Sequence, residues 1–292
     1  MIEIKGLSKM IEDKYVLKEI NLKVSKGSIF GLIGPNGAGK STLIRCLTGI
    51  YGLEEGEILY EGQSVYENID VKNKIGYVAD ENNFFSTFRL IDIINYYKLA
   101  YKNFDEERFK ELNKEFKMNT KKRFFQLSKG NKMKFAIMMA MCIHPEYLIL
   151  DEPTSGIDPI FKRKFVEILL SEVAEKGTTV IISSHNLSNV ERICDTVAIL
   201  NNGKVTAVSS IDNMKNKIKK LQVAFKAAIK EEELKIHGVV KIENVGRVYN
   251  IVTTDYGAEL IGKINSLNPL FVEELDLSLE DIFIYTIEGE EK

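Results

Sequence analysis

An excess of charge of either sign is the first thing missing from this chain of 292 residues: 40 Lys and Arg face 42 Asp and Glu, a net charge of −2 with the three histidines neutral. Without a basic excess there is no electrostatic footprint for general nucleic-acid binding, so no nucleic-acid partner is expected. Long apolar runs are missing too. The longest, residues 135–143, stops at His144 and Pro145 and falls short of the roughly 18 residues a spanning helix needs. The chain itself is therefore expected not to cross a membrane, and its first residues carry no visible secretory signal. Cysteine is scarce. Cys46, Cys142 and Cys194 are odd in number, widely spaced and set in apolar surroundings, which reads as buried reduced thiols of a cytosolic protein. No Cys/His spacing suggests a structural zinc site, and neither a sustained repeat nor a low-complexity segment is present. What is present is 45% apolar, enough to bury a core of useful size in one large domain or two smaller ones.

Strand-type runs occupy residues 2–4, 20–24, 28–33 and 57–60, interrupted by one helix over 40–48. From 84 to 143 the pattern is mostly helical, and 11 of the chain's Phe and Tyr residues fall within 84–125. Strand-like runs then return at 147–150, 178–183 and 196–200, alternating with helical patterns. One such helix has Asp158 as N-cap, Pro159 at its first position, and Phe161, Phe165, Ile168 and Leu169 on one face. Strands separated by helices imply an α/β fold with a parallel sheet covered on its faces. NNGK at 201–204 predicts a hairpin turn. The basic stretch 214–220 reads as a helix and as the boundary of a C-terminal region, whose remainder reads β, β, α, β, α.

The chemistry begins at GPNGAGKST, residues 34–42, which follows a strand and opens a helix, the context that the phosphate-loop pattern requires. Gly34, Gly37 and Gly39, with Asn36 among them, let backbone N–H groups and the helix N-terminus face phosphates. Lys40 would reach the β- and γ-phosphates, Ser41 would offer its hydroxyl to Mg²⁺, and Thr42 would lie beside the α- and β-phosphates. LILDE at 148–152 puts two carboxylates at the end of a buried strand, where α/β sheets present ligands. Asp151 suits Mg²⁺, and Glu152 is poised to polarise the water that attacks the γ-phosphate. Strand 178–183 runs on into Ser184 and His185, which brings His185 to the same edge.

In order along the chain, these residues resemble the ATPase subunit of an ABC transporter over roughly residues 1–210. Beside the phosphate loop and LILDEPT (148–154), LSKGN (127–131) looks like the LSGGQ signature, SGID (155–158) looks like the D-loop, and His185 falls at the switch histidine. The resemblance implies a P-loop ATPase domain over 1–212 with a mixed-sheet core and a helical subdomain at about 81–143, followed by a small α+β region over 213–292. It implies ATP and Mg²⁺ as ligands, and two such domains, a second copy or a paralogue, paired head to tail. Each ATP then lies between one phosphate loop and the other domain's signature, with Ser128, Gly130 and Asp158 contributing. A separate integral membrane subunit would hold the ATPase at the cytoplasmic face of the membrane. Lys129 and the start of the phosphate loop are similar to the exporter branch associated with antimicrobial-peptide and bacitracin resistance. A non-transport ABC ATPase and an ATP-gated regulatory module are the alternatives.

Three departures accompany the resemblance. Asp80, in GYVADE (76–81), stands where the family has the Q-loop glutamine, and its carboxylate is a further candidate for Mg²⁺. Ile11 stands where an aromatic stacks on adenine, with Tyr15 as the possible substitute. Lys129 and Asn131 replace Gly and Gln of the signature. Phe84, Phe85 and Phe88 follow the Q-loop position and are expected to line the groove that receives the membrane subunit.

Overall fold

A computed structural model describes residues 1–82, 86–227 and 229–290. The chain divides into two compact units, one of residues 1–185 and 193–208, the other of residues 186–192 and 209–292. The first unit contains β1 (Ile2–Ile11), β2 (Lys14–Val24), β3 (Ile29–Ile33), α1 (Lys40–Leu47), β4 (Glu55–Tyr60), β5 (Gln63–Ser64), α2 (Ile69–Lys72) and β6 (Ile75–Val78). It continues with α3 (Leu90–Ala100), α4 (Glu106–Phe116), α5 (Lys129–Met141), β7 (Tyr147–Asp151), α6 (Pro159–Lys176) and β8 (Thr179–Ser184). After α7 (Leu187–Ile193) come β9 (Thr196–Asn201) and β10 (Lys204–Ser210).

Two sheets carry the first unit. One is antiparallel in the order β2-β1-β4-β5, and the other has the order β10-β9-β3-β8-β7-β6. In the second, β3 pairs in parallel with β8 and β9, and β7 with β6 and β8. Every residue of β3, β7 and β8 is buried, the continuous apolar pattern of strands covered on both faces. Asn202 and Gly203 both take positive φ, which is the mirror-image turn that closes the β9–β10 hairpin. This is the mixed-sheet α/β core expected from the sequence.

The helical segment packs by two routes. Phe109, Leu112 and Phe116 of α4 are buried, and the Phe116 ring meets Phe161 of α6 edge-on at 4.8 Å. In α5, Met133, Met138, Met139 and Met141 are all buried, ordinary core for flexible thioethers. The helix starts at Lys129 because Ser128 is its N-cap and accepts from the Asn131 N–H at 3.3 Å. The three cysteines are buried and free, and burial pushes the Cys46 and Cys142 thiols up to about 12, so both stay protonated.

The second unit holds most of α7, then α8 (Ile211–Lys217), β11 (Lys219–Ala224), β12 (Val239–Val245), β13 (Val248–Thr253), α9 (Ala258–Ser266), β14 (Phe271–Leu275) and α10 (Leu279–Glu290). Its antiparallel sheet has the order β12-β13-β11-β14. Strand β11 corrects the sequence reading, which carried a helix through residue 220. Leu221, Val223 and Phe225 alternate into a core with Tyr249, Ile251, Leu260 and Ile264, and that period of two decides for strand. Among the described residues no helix is long and apolar enough to cross a membrane.

Candidate functional site

The first unit's parallel strands deliver their C-terminal ends to one edge, and the cleft lies there. Asn36, Gly37, Gly39, Lys40, Ser41 and Thr42 line it on one side, with Glu152, Ser155 and His185 opposite and Asp80, Ile11 and Val16 completing the wall, around a volume of about 560 Å³. Gly34 sits at the root of the loop, where a Cβ would stand 2.2 Å from the Leu200 carbonyl oxygen, so no larger residue fits. Gly39 takes φ +106 as the N-cap of α1, whose first turn carries no acid. That helix end keeps its partial positive charge for an anion.

Lys40 is nearly buried, and its ammonium donates to the carbonyl oxygens of Gly34 (2.8 Å) and Pro35 (3.1 Å). Burial pushes it below the usual lysine range, and the nearby Glu152 and Asp151 charges oppose that shift. The cation is thus already stripped of much of its water and held on the loop it would leave to meet a phosphate.

At the strand ends, Asp151 is 2% exposed, and Ser183 in register beside it donates its hydroxyl to Oδ1 at 2.6 Å. The same Ser183 oxygen accepts from the Glu152 N–H at 2.9 Å. One hydroxyl therefore ties the Asp151 carboxylate to the Glu152 backbone, a role that sequence reasoning missed; the signal was a serine directly after the apolar run 180–182. Glu152 takes φ +48, a strained conformation for a residue with a side chain, and Oε2 meets His185 Nδ1 at 2.8 Å.

Other predicted residues sit elsewhere. Tyr15 does not line the cleft, whereas Ile11 and Val16 do. Successive residues of a strand point to opposite faces, so a cleft-facing Val16 turns Tyr15 outward, where it is 41% exposed. Ser128 is exposed, and neither it nor Gly130 lines the chain's own cleft. A Cβ on Gly130 would stand 2.6 Å from the Gly156 carbonyl oxygen, so glycine is what lets α5 start against residues 155–158. Asp158 caps α6 through the Phe161 N–H and pairs with Lys134 at 2.8 Å; the Lys134 contact is the main cause holding its carboxyl below the usual range. Phe84 and Phe85 lie outside the described residues, and Phe88 is exposed. Two hollows share Tyr97 and Tyr101, whose rings stack at 5.2 Å; one hollow runs to Ile75 and Tyr77, the other to Ile69 and Tyr96.

A phosphate loop facing a strand-end acid, with a glutamate held by a histidine across the cleft, defines a P-loop nucleoside triphosphatase. The family described as "ABC transporter" matches residues 17–155. The chain is 30% identical to the ABC transporter ATP-binding protein YtrB of Bacillus subtilis (strain 168), over 100% of each chain. It is 32% identical to the bacitracin transport ATP-binding protein BcrA of Bacillus licheniformis, over 99% of this chain and 98% of that one. A solved structure of the ATP-binding subunit of an ABC transporter superposes with a TM-score of 0.68 at 29% identity, over 74% of this chain and 92% of the other. The chain belongs to the ABC transporter ATP-binding proteins: it binds and hydrolyses ATP as the ATPase subunit of such a transporter.

Proposed function

We propose that the cleft is the ATP site and that it becomes complete when two such units pair, this chain with a second copy or a paralogue. Each ATP then lies between Gly34, Asn36, Gly37, Gly39, Lys40, Ser41 and Thr42 of one unit and Ser128 and Gly130 of the other, with Asp158 holding the start of α6 beside them. The exposure of Ser128 and its absence from the chain's own cleft support that arrangement. Water attacks the γ-phosphorus in line, Glu152 takes its proton, and His185 fixes the carboxylate's direction through Nδ1. Lys40 and the α1 N-terminus bear the charge that develops on the phosphate oxygens.

Ser41, Asp151 and Asp80 offer hard oxygen donors, which suits Mg²⁺. Asp151 is a buried acid, and Asp80 Oδ1 is a buried atom without a hydrogen bond. Among the described residues no three His, Cys, Asp or Glu side chains converge, so phosphate oxygens would supply part of the coordination, as is usual for this ion. When bound, Mg²⁺ supplies positive charge against those oxygens.

The ATPase drives a separate integral membrane subunit, which holds it at the cytoplasmic face of the membrane. The aromatic hollows around Tyr97 and Tyr101 are the surface that receives that subunit, because one reaches Asn82 and the other carries the exposed Tyr96 and Ile69. Similarity to the bacitracin transport protein extends through the C-terminal unit and supports export.

The observation that carries the mechanism is the Glu152–His185 contact at 2.8 Å across from Lys40. Glu152→Gln is expected to keep ATP affinity and to lose about 100-fold or more in phosphate release, the scale of a general base. A wild-type rate in that variant would overturn the assignment.

A further inference from the structure

Two of the three departures from the family pattern meet in space. The Lys129 ammonium lies 3.1 Å from Asp80 Oδ1, although residues 80 and 129 are far apart in sequence. That oxygen is buried and makes no hydrogen bond, so the contact is one of charge without directional bonding. Asp80 also lines two hollows, the nucleotide cleft with Lys40 and Ser41, and a second one beside Lys129 and Lys132 at the start of α5. It stands between the phosphate loop and the signature segment.

The chemistry of α5 explains why an acid is useful there. A helix N-terminus carries partial positive charge, yet the first turn of α5 holds Lys129 and Lys132 and no acid. Asp80 supplies from outside the negative charge that this turn lacks. A carboxylate has a limited capacity, however, and a divalent cation at the nucleotide competes for it more strongly than a half-exposed ammonium does.

We propose that Lys129 is a positioning residue for cation loading: it holds the Asp80 carboxylate at the edge of the nucleotide cleft until Mg²⁺ displaces it. The exchange frees Lys129 one residue from Ser128. Arrival of the cation in one site is thereby reported to the segment that faces the other. This rests on the proposed assignment of Asp80 to the Mg²⁺–ATP site.

The test uses the full chain at concentrations below those at which it pairs. ATP binding is measured at fixed ATP across a Mg²⁺ titration for wild type, Lys129→Gln, Asp80→Asn and the double variant, with thermal melts confirming that each is folded. Removing the competing ammonium in Lys129→Gln is expected to lower the Mg²⁺ midpoint by about 2- to 5-fold, the scale of a partly exposed ion pair, and to leave Mg²⁺-free ATP binding unchanged. Asp80→Asn raises the midpoint, and in that background Lys129→Gln has no further effect. An unchanged midpoint in Lys129→Gln, or an equal shift with and without Asp80, overturns the proposal while the cation assignment stands. Wild-type ATP binding that is indifferent to Mg²⁺ overturns both.

Discussion

The phosphate-loop side and the signature side of the proposed shared site are built to different degrees of completion within one chain. On the first, Lys40 and Asp151 are buried, Ser183 holds the Asp151 carboxylate and the Glu152 N–H, and Gly34 is pressed against Leu200. On the second, Ser128 is exposed and caps only its own helix, and Lys129 borrows a charge from Asp80. The first half is preorganised before any ligand arrives. The second is a surface whose hydrogen-bonding groups are held in place and face outward, which is how a site shared between two units must look from either one. Binding and turnover should therefore separate when the halves are damaged one at a time.

The largest effect on ATP affinity is expected from Gly34→Ala. The new methyl group meets backbone rather than a mobile side chain, so ATP affinity should fall by about 100-fold, near the ~3 kcal/mol upper range for overpacking; isothermal titration measures it. Gly130→Ala makes a comparable clash, with the Gly156 carbonyl, but on the signature side. It should leave ATP affinity of the unpaired chain within about twofold while steady-state hydrolysis drops by about tenfold, a loss of ~1.4 kcal/mol. If instead both glycine variants lose ATP affinity equally, the two halves are not independent. The smallest effect belongs to Ser128→Ala, which removes the α5 cap and should cost about 1 kcal/mol of stability in a denaturant melt, with ATP affinity of the unpaired chain unchanged.

Much of the first half was legible in the linear sequence because its chemistry is local. GPNGAGKST is contiguous, its flanking strand and helix are its immediate neighbours, and LILDE ends a run whose five residues Tyr147–Asp151 are all buried. The second half was legible only through the order of several short motifs, since LSKGN taken alone is an ordinary helix start. Tyr15 shows where local reading failed. A single aromatic near the expected position was a reasonable substitute for the one at residue 11, but the pleat of β2 turns it to the other face. The strand at 219–224 was missed because four lysines at 215, 217, 219 and 220 hid the alternation that begins at Leu221. The described residues of the aromatic concentration at 84–125 did not share one destination. Phe109, Phe116 and Phe124 went to the core, while Tyr96, Phe88 and Phe125 stayed exposed.

The missing membrane span, the phosphate loop, the strand-end acids and the alternation of strand and helix were determined by the sequence itself, because backbone turns, helix ends and periodic burial depend on neighbours a few residues apart. Tertiary structure alone decided that Ser183 holds Asp151 and Glu152, that His185 reaches Glu152, that Val16 and not Tyr15 faces the cleft, and that Asp80 meets Lys129. Each of these depends on the register of strands or the placement of a helix distant in sequence. Such registers are set by packing a whole core, and no short stretch of chain contains that information.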